Sequence, residues 1–318
     1  MLSVRTFVFA AFLSISAISA ANGPTAGEGK ATPFLSEPKP FLDPLLETMT
    51  LVSKVNGKEY EIRVGLPYTY HQSSKAYPVF VVLDGEGFFL TAAEVSRNEQ
   101  ASSIGPLSGG TGPIPEFIVV SIALPSKPPN PFRRNYEFMP PAKREELAPT
   151  MRAFMDNAIA TYGGKVEFGG ASAFLKVVET EILPGLSMHY RVDPAQRMLF
   201  GQSAGGTFAA YVLMTRPELF TDYIIASPGL LPENFREEEA WAAGHKELHA
   251  RVLLTAGEKE INDPLTIASA TVRFAELLNS RNYRGLDLRT WIIPDAGHNQ
   301  TGIPSMVRGL SRSGLPPN

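Results

Sequence analysis

The run Gly201-Gln202-Ser203-Ala204-Gly205 places a serine between two glycines, each two positions away. The apolar stretch RMLF precedes it as a strand, and AGGTFAAYVLMTRPELF follows it as a helix. A strand that enters a helix through so sharp a turn strains the serine backbone, admits only small neighbours, and holds the hydroxyl out at the end of a sheet. That hydroxyl attacks carbonyls only when a base takes its proton, and histidine suits the role near neutral pH. Five histidines are available. His71 lies in a turn, His189 precedes the strand leading to Ser203, and His245 and His249 lie on a polar stretch, so all four read as surface or packing residues. His298, in PDAGHNQ, follows the last apolar strand, LRTWII, and falls at the same sheet edge as Ser203. We therefore expect Ser203 as nucleophile and His298 as base.

The acid that orients the imidazole is expected after the strand RVLLTAG, within GEKEINDP, which completes the chain order serine, acid, histidine. Glu258, Glu260 and Asp263 qualify by position. Glu260 is preferred because it stands three residues past the glycine that ends the strand, with Asp263 second. A tetrahedral intermediate also needs donors for its oxyanion, and backbone N–H groups suffice. One is expected from Ala204 at the start of its helix. The other is expected from Glu86, in the loop Asp84-Gly85-Glu86-Gly87 that follows YPVFVVLD. No metal or cofactor is implied.

The elements that must position these groups are unbroken apolar runs: YPVFVVLD, EFIVVSIAL, RMLFG, DYIIAS, RVLLTAG and DLRTWII. Such runs suit strands covered on both faces. Helical stretches alternate with them. One carries Phe174, Leu175, Val177, Val178 and Ile182 at helical spacing, and another Ile267, Val272, Ala275, Leu277 and Leu278. Ahead of them, alternating runs flank Asn56-Gly57 and predict an antiparallel hairpin of Thr50 to Lys54 with Glu59 to Leu66. The pattern gives a mostly parallel sheet with helices on both faces and an N-terminal hairpin. ASSIGPLSGGTGPIP, from Ala101 to Pro115, reads as a flexible loop or lid. The stretch carrying Arg133, Arg134 and Tyr136 is a candidate wall of the substrate cleft.

With 318 residues, 44% hydrophobic and 19% charged, the chain is long enough for one large domain with a sizeable core. A net charge of −3 and no block of Lys and Arg speak against nucleic acid and anionic membrane as partners. Residues 1–21 put Arg5 ahead of a short apolar stretch and small residues, which reads as an export signal cut near Ala21. Residues 22–48 read as a Pro/Gly-rich leader and 49–318 as the folded domain. The expected location is periplasmic or secreted, with no stable membrane association after cleavage. Zero cysteines exclude disulfides and thiolate metal sites.

From about Thr50 to Gly302 the chain resembles the putative-esterase family of α/β-hydrolases, which includes siderophore (enterobactin-type) esterases, feruloyl esterases, S-formylglutathione hydrolases and mycolyltransferases. The landmarks are YEIRVGLP, YPVFVVLDGEGFF, RRNYEFMPP, GGASAFLKVVETEILPGLSMHYRVDP, MLFGQSAGGTFAAYVLMTRPELF, ASPGLL and PDAGHNQ. The resemblance implies an α/β-hydrolase fold, Ser203 and His298 in the roles above, an oxyanion donor after Asp84-Gly85, and an acid in the GEKE turn; the export signal, GGASAFLKVVETEILP and GEKE look closest to the siderophore esterase branch. Gln202 and Ala204 stand where the family often has His and Leu. Siderophore esterases resembling this chain can also work as a Ser-His pair with no well-placed acid. The expected function is exported hydrolysis of a small-molecule carboxylic ester through an acyl-enzyme on Ser203. Catecholate siderophores, hydroxycinnamoyl sugar esters and simple acyl esters all remain open as substrates. An acyltransferase on the same residues and a non-enzymatic binding protein on a hydrolase scaffold are the alternatives.

Overall fold

The structure, a computed structural model, describes residues 40, 42–102, 113–125, 132–163, 167–261 and 266–313. The expected signal, most of the expected leader and most of the expected 101–115 loop lie outside them. Residues from Asp43 onward form one compact unit. Among the described residues, no helix is long and apolar enough to cross a membrane.

Eight strands make one sheet in the order β1-β2-β4-β3-β5-β6-β7-β8. They are β1 (Leu46–Val52), β2 (Glu59–Gly65), β3 (Tyr77–Leu83), β4 (Ile118–Ala123), β5 (Val192–Gln202), β6 (Asp222–Ala226), β7 (Glu247–Gly257) and β8 (Arg284–Ile293). β1 and β2 are antiparallel to each other, and β2 is antiparallel to β4. All other pairings are parallel. The hairpin is present, but β1 runs from Leu46 and pairs Val52 with Glu59, so six residues connect the strands where the expected bounds left four. Gly57 takes φ +71° there, and its N–H reaches back to Ser53 O at 2.9 Å.

β3, β4 and β6 are buried along their whole length, as their unbroken apolar runs require. Pro78, inside β3, lacks the N–H the ladder needs, and the β3–β5 register shifts at that point, between Tyr77 and Val79. β8 departs from expectation. As the edge strand it is only partly covered, and among the described residues nothing pairs with its outer side.

Helices lie on both faces. α1 (Gly85–Ser102) and α9 (Gly302–Ser313) cover one, where Ala92, Met306 and Leu310 pack on Phe80, Val82, Phe200 and Ile224. On the other lie α2 (Arg133–Phe138), α3 (Pro149–Tyr162), α4 (Ala171–Val177), α5 (Leu183–His189), α6 (Ala204–Thr215), α7 (Pro232–Gly244) and α8 (Ile267–Arg281). A π-helical turn, Val178–Ile182, joins α4 to α5. Phe174, Leu175, Val177, Val178 and Ile182 are all buried there. In α8 the buried face is Ile267, Ala268, Thr271, Phe274, Ala275 and Leu278, whereas Val272 is exposed and Leu277 only half-buried. The i, i+1, i+4, i+7, i+8, i+11 spacing sets that stripe, and Val272 and Leu277 fall beyond its two margins.

Candidate active site

Ser203 sits between β5 and α6, with φ +58° and ψ −122°. Its N–H donates to Ala226 O at 2.9 Å, which ties the turn to the neighbouring strand β6. No larger residue fits around it. A Cβ on Gly201 would stand 2.1 Å from Gly205 O, and one on Gly206 would stand 2.8 Å from Ala226 O. Close packing at these glycines makes the turn sharp and leaves the partly exposed Ser203 at the sheet's carboxyl edge.

His298 opens a short 3-10 turn after β8 and is 30% exposed on its side chain. Its Nδ1 lies 2.6 Å from Glu260 Oε1. Glu260 is 1% exposed. Its other oxygen accepts from Ser227 Oγ at 2.7 Å and from the Gly257 N–H at 2.6 Å. Burial pushes the Glu260 carboxyl up, but the bonds from His298, Ser227 and Gly257 outweigh it and hold the group below its ordinary 4.5. A carboxylate that stays ionised keeps the Nδ1 proton on the imidazole side and leaves Nε2 free as a base. Of the other acidic candidates, Glu258 points elsewhere, accepting from the Asp295 N–H at 2.8 Å, and Asp263 lies outside the described residues. His71, His189, His245 and His249 are all exposed.

The turn carrying Ser203 and the turn carrying His298 are joined directly. Gln202 Nε2 donates to His298 O at 2.6 Å and to Thr301 Oγ1 at 3.0 Å. Thr301 Oγ1 lies 3.0 Å from His298 O and 2.8 Å from Ser227 Oγ, and with the Ser227 proton given to Glu260 its own single proton serves the Ser227 oxygen. Gln202, Thr301, Ser227, Glu260 and His298 thus close a ring of hydrogen bonds behind the imidazole. No hydrogen bond joins Ser203 Oγ to the His298 ring itself; such contacts often tighten only when substrate is bound.

The segment expected as a loop at Asp84-Gly85-Glu86-Gly87 is the start of α1, which begins at Gly85 after Asp84 at φ +58°. The first N–H groups of a helix have no acceptor within it. Gly87 and Phe88 both turn back to Asp84 O, at 2.9 and 3.1 Å, while Glu86 N–H has no acceptor among the described residues. The same holds for Ala204 N–H at the start of α6. Two helix N-termini, each favouring negative charge, therefore open near Ser203 with a spare donor apiece.

Arg133 does not line a cleft. It is buried, bonded to Glu137 Oε1, Pro125 O and Glu59 O, and stacked over the Tyr60 ring. Arg134 faces the site, holding Asp84 and the Gln202 carbonyl. Ser227 and Thr301 were not singled out by sequence reasoning, although each lies in or beside a motif quoted above, and the contacts that Asp84, Arg134 and Gln202 make with one another were not expected. Among the described residues no group of three His, Asp or Glu side chains is placed to hold a metal.

The family model described as "Putative esterase" matches residues 155–299, the segment that carries Ser203, Glu260 and His298. The chain is 28% identical to the ferri-bacillibactin esterase BesA of Bacillus subtilis over 285 residues, 87% of this chain and 92% of the relative. It is 31% identical to the siderophore enterobactin esterase of Emericella nidulans over 193 residues, 56% of each protein. It thus spans only about half of that fungal relative. Among solved structures, the BES protein from Bacillus cereus superposes with a TM-score of 0.70 at 24% identity, covering 87% of this chain and 98% of that one, a likeness of fold. By its sheet and by the esterase match across the segment that carries the site, the chain is a carboxylic ester hydrolase with the α/β-hydrolase fold.

Proposed function

We propose that the chain is an exported serine esterase that works through an acyl-enzyme on Ser203, with siderophore-type esters as its substrate class. The observation that carries the mechanism is the Glu260–His298 pair, held by the Gln202 bond beside the turn of a strained serine, where two helices begin with unpaired N–H groups. His298 Nε2 takes the Ser203 hydroxyl proton as Oγ bonds to the ester carbonyl carbon. The carbonyl oxygen becomes the oxyanion and is received by the Glu86 and Ala204 N–H groups. Collapse breaks the ester C–O bond, and His298 returns the proton to the leaving alcohol. Water, deprotonated by the same imidazole, then releases the acid and restores Ser203. Glu260 stabilises the imidazolium at both stages.

The names of the relatives support the substrate class, since two of them are esterases of iron-chelating siderophores. The signal-like segment before Ala21 supports export. The test is Ser203→Ala, which is expected to lower turnover of p-nitrophenyl acetate by on the order of 10⁴-fold or more with an unchanged circular dichroism spectrum. Full activity in that variant, or no covalent labelling of Ser203 by a fluorophosphonate, ends the mechanism. A hydrolysis panel of catecholate-siderophore, hydroxycinnamoyl-sugar and simple acyl esters tests the substrate, with the siderophore expected to give the highest kcat/KM. Cleavage of the first residues on expression with the full sequence tests export.

A further inference from the structure

Asp84 and Ser203 share an unusual backbone torsion, φ +58°, although neither is glycine. They follow the neighbouring parallel strands β3 and β5, and each immediately precedes a helix whose early N–H is unpaired. Strained torsions of this kind persist only where the surroundings over-determine them. Between these two turns the sheet does not provide that support. The β3–β5 ladder ends at Val82 and Phe200, two residues short of Asp84 and Gln202, and no backbone hydrogen bond joins the turns beyond it.

One side chain bridges the gap. Arg134, on α2, donates through Nε to Asp84 Oδ1 and through Nη2 to Asp84 Oδ2 at 2.7 Å. The same Nη2 reaches the Gln202 carbonyl oxygen at 3.0 Å. Its partners are thus the residues immediately before Gly85-Glu86 and before Ser203-Ala204. The turns are close enough that a Cβ on Gly205 would stand 3.0 Å from Asp84 Oδ2. Arg63 Nη1, donating to Gly85 O at 3.2 Å, holds the first turn from its other side.

Oxyanion stabilisation depends on two N–H groups converging on one oxygen, each at about 2.7–3.1 Å. Here the two donors belong to separate segments, and their spacing is set by whatever ties Asp84 to Gln202. We propose that Arg134 is a positioning residue for the oxyanion hole: it fixes the separation of the Glu86 and Ala204 N–H groups without touching substrate. This inference rests on reading Ser203 as the nucleophile. The guanidinium suits the task because its planar fork can grip a carboxylate and a carbonyl together, which a lysine ammonium cannot do in one fixed geometry.

The experiment compares Arg134→Gln and Arg134→Lys with the unaltered protein on p-nitrophenyl acetate, alongside binding of an aryl trifluoromethyl ketone. That ketone becomes an oxyanion only after Ser203 adds to it. Arg134→Gln is expected to lower kcat by roughly 10- to 100-fold, because a misplaced donor loses much of what a deleted one loses. KM should stay within about twofold and ketone affinity should fall by the same factor as kcat, since only the charged adduct uses the donors. Arg134→Lys is expected to fall with it. Unchanged kcat and ketone affinity, full rescue by lysine, or a loss that merely tracks the unfolded fraction would overturn the assignment. If Arg134→Gln does not fold, Asp84→Asn gives the same split between kcat and KM. Loss of Ser203 labelling by the fluorophosphonate in the unaltered protein sinks the nucleophile reading, whereas normal labelling with a silent Arg134→Gln sinks only the positioning role.

Discussion

The two flanks of Ser203 are held by different physics. On the oxyanion flank a single ion pair, Arg134 with Asp84, spans two turns, and its side chains keep 35% and 16% of their exposure. On the acid–base flank the ties are the hydrogen-bond ring of Gln202, Thr301, Ser227, Glu260 and His298, in which Thr301 and Ser227 are fully buried. The first arrangement concentrates its hold in one wet contact, while the second spreads it over several dry ones. A deletion on the first flank removes the whole tie. On the second flank a deletion leaves the remaining members of the ring in place but exposes a buried polar atom without a partner.

The sharpest way to break this contrast is at the one charged member of the dry ring. Glu260→Gln keeps the shape but removes the charge that favours the imidazolium, and it is expected to lower kcat by on the order of 10³-fold, read as initial rates on an activated ester. A loss below tenfold would mean that the enzyme runs on Ser203 and His298 alone. Next comes Ser227→Ala, which strips one of three donors from the carboxylate. Roughly a tenfold fall in kcat is expected, smaller than for Glu260→Gln because His298 and the Gly257 N–H still hold it. Equal losses in the two variants would show that the ring acts as a single unit.

The smallest effect concerns stability. The Glu260 carboxyl is depressed in the folded chain, so its contribution is fully present above the ordinary carboxylate range and is lost as pH falls through the lower native value. Denaturant midpoints measured from pH 7 down to pH 3 should therefore fall less steeply in Glu260→Gln than in the unaltered protein. Parallel curves would remove Glu260 from the acid limb.

The site was legible in the sequence wherever a local pattern dictates a local shape. Glycines two positions either side of Ser203 specify the elbow. Chain order places the GEKE turn and the PDAGHNQ loop at the same sheet edge, and Glu260 and His298 meet there. What escaped depends on distant partners. Arg134 meets residues 50 and 68 positions away, and Ser227 meets Thr301 across 74, so no spacing rule announces either contact. The opening of α1 at Gly85 was hidden for a related reason. The glycines of DGEG read as a loop, whereas Asp84 takes a positive φ and the helix begins directly after it. In α8, Val272 fits a helical spacing with Ala275, but the stripe that packs is phased on Ile267, Thr271 and Phe274 and leaves Val272 exposed.

The shared torsion of Asp84 and Ser203 has an evolutionary side. Glycine adopts φ near +58° at no steric cost, so replacing either residue with it is expected to relieve on the order of 1 kcal/mol of conformational strain. A laboratory selection that rewarded heat resistance alone would therefore be drawn toward the Ser203 codon, since glycine at 84 would also give up the Arg134 pair, and the survivors would be sturdier proteins that no longer cut esters.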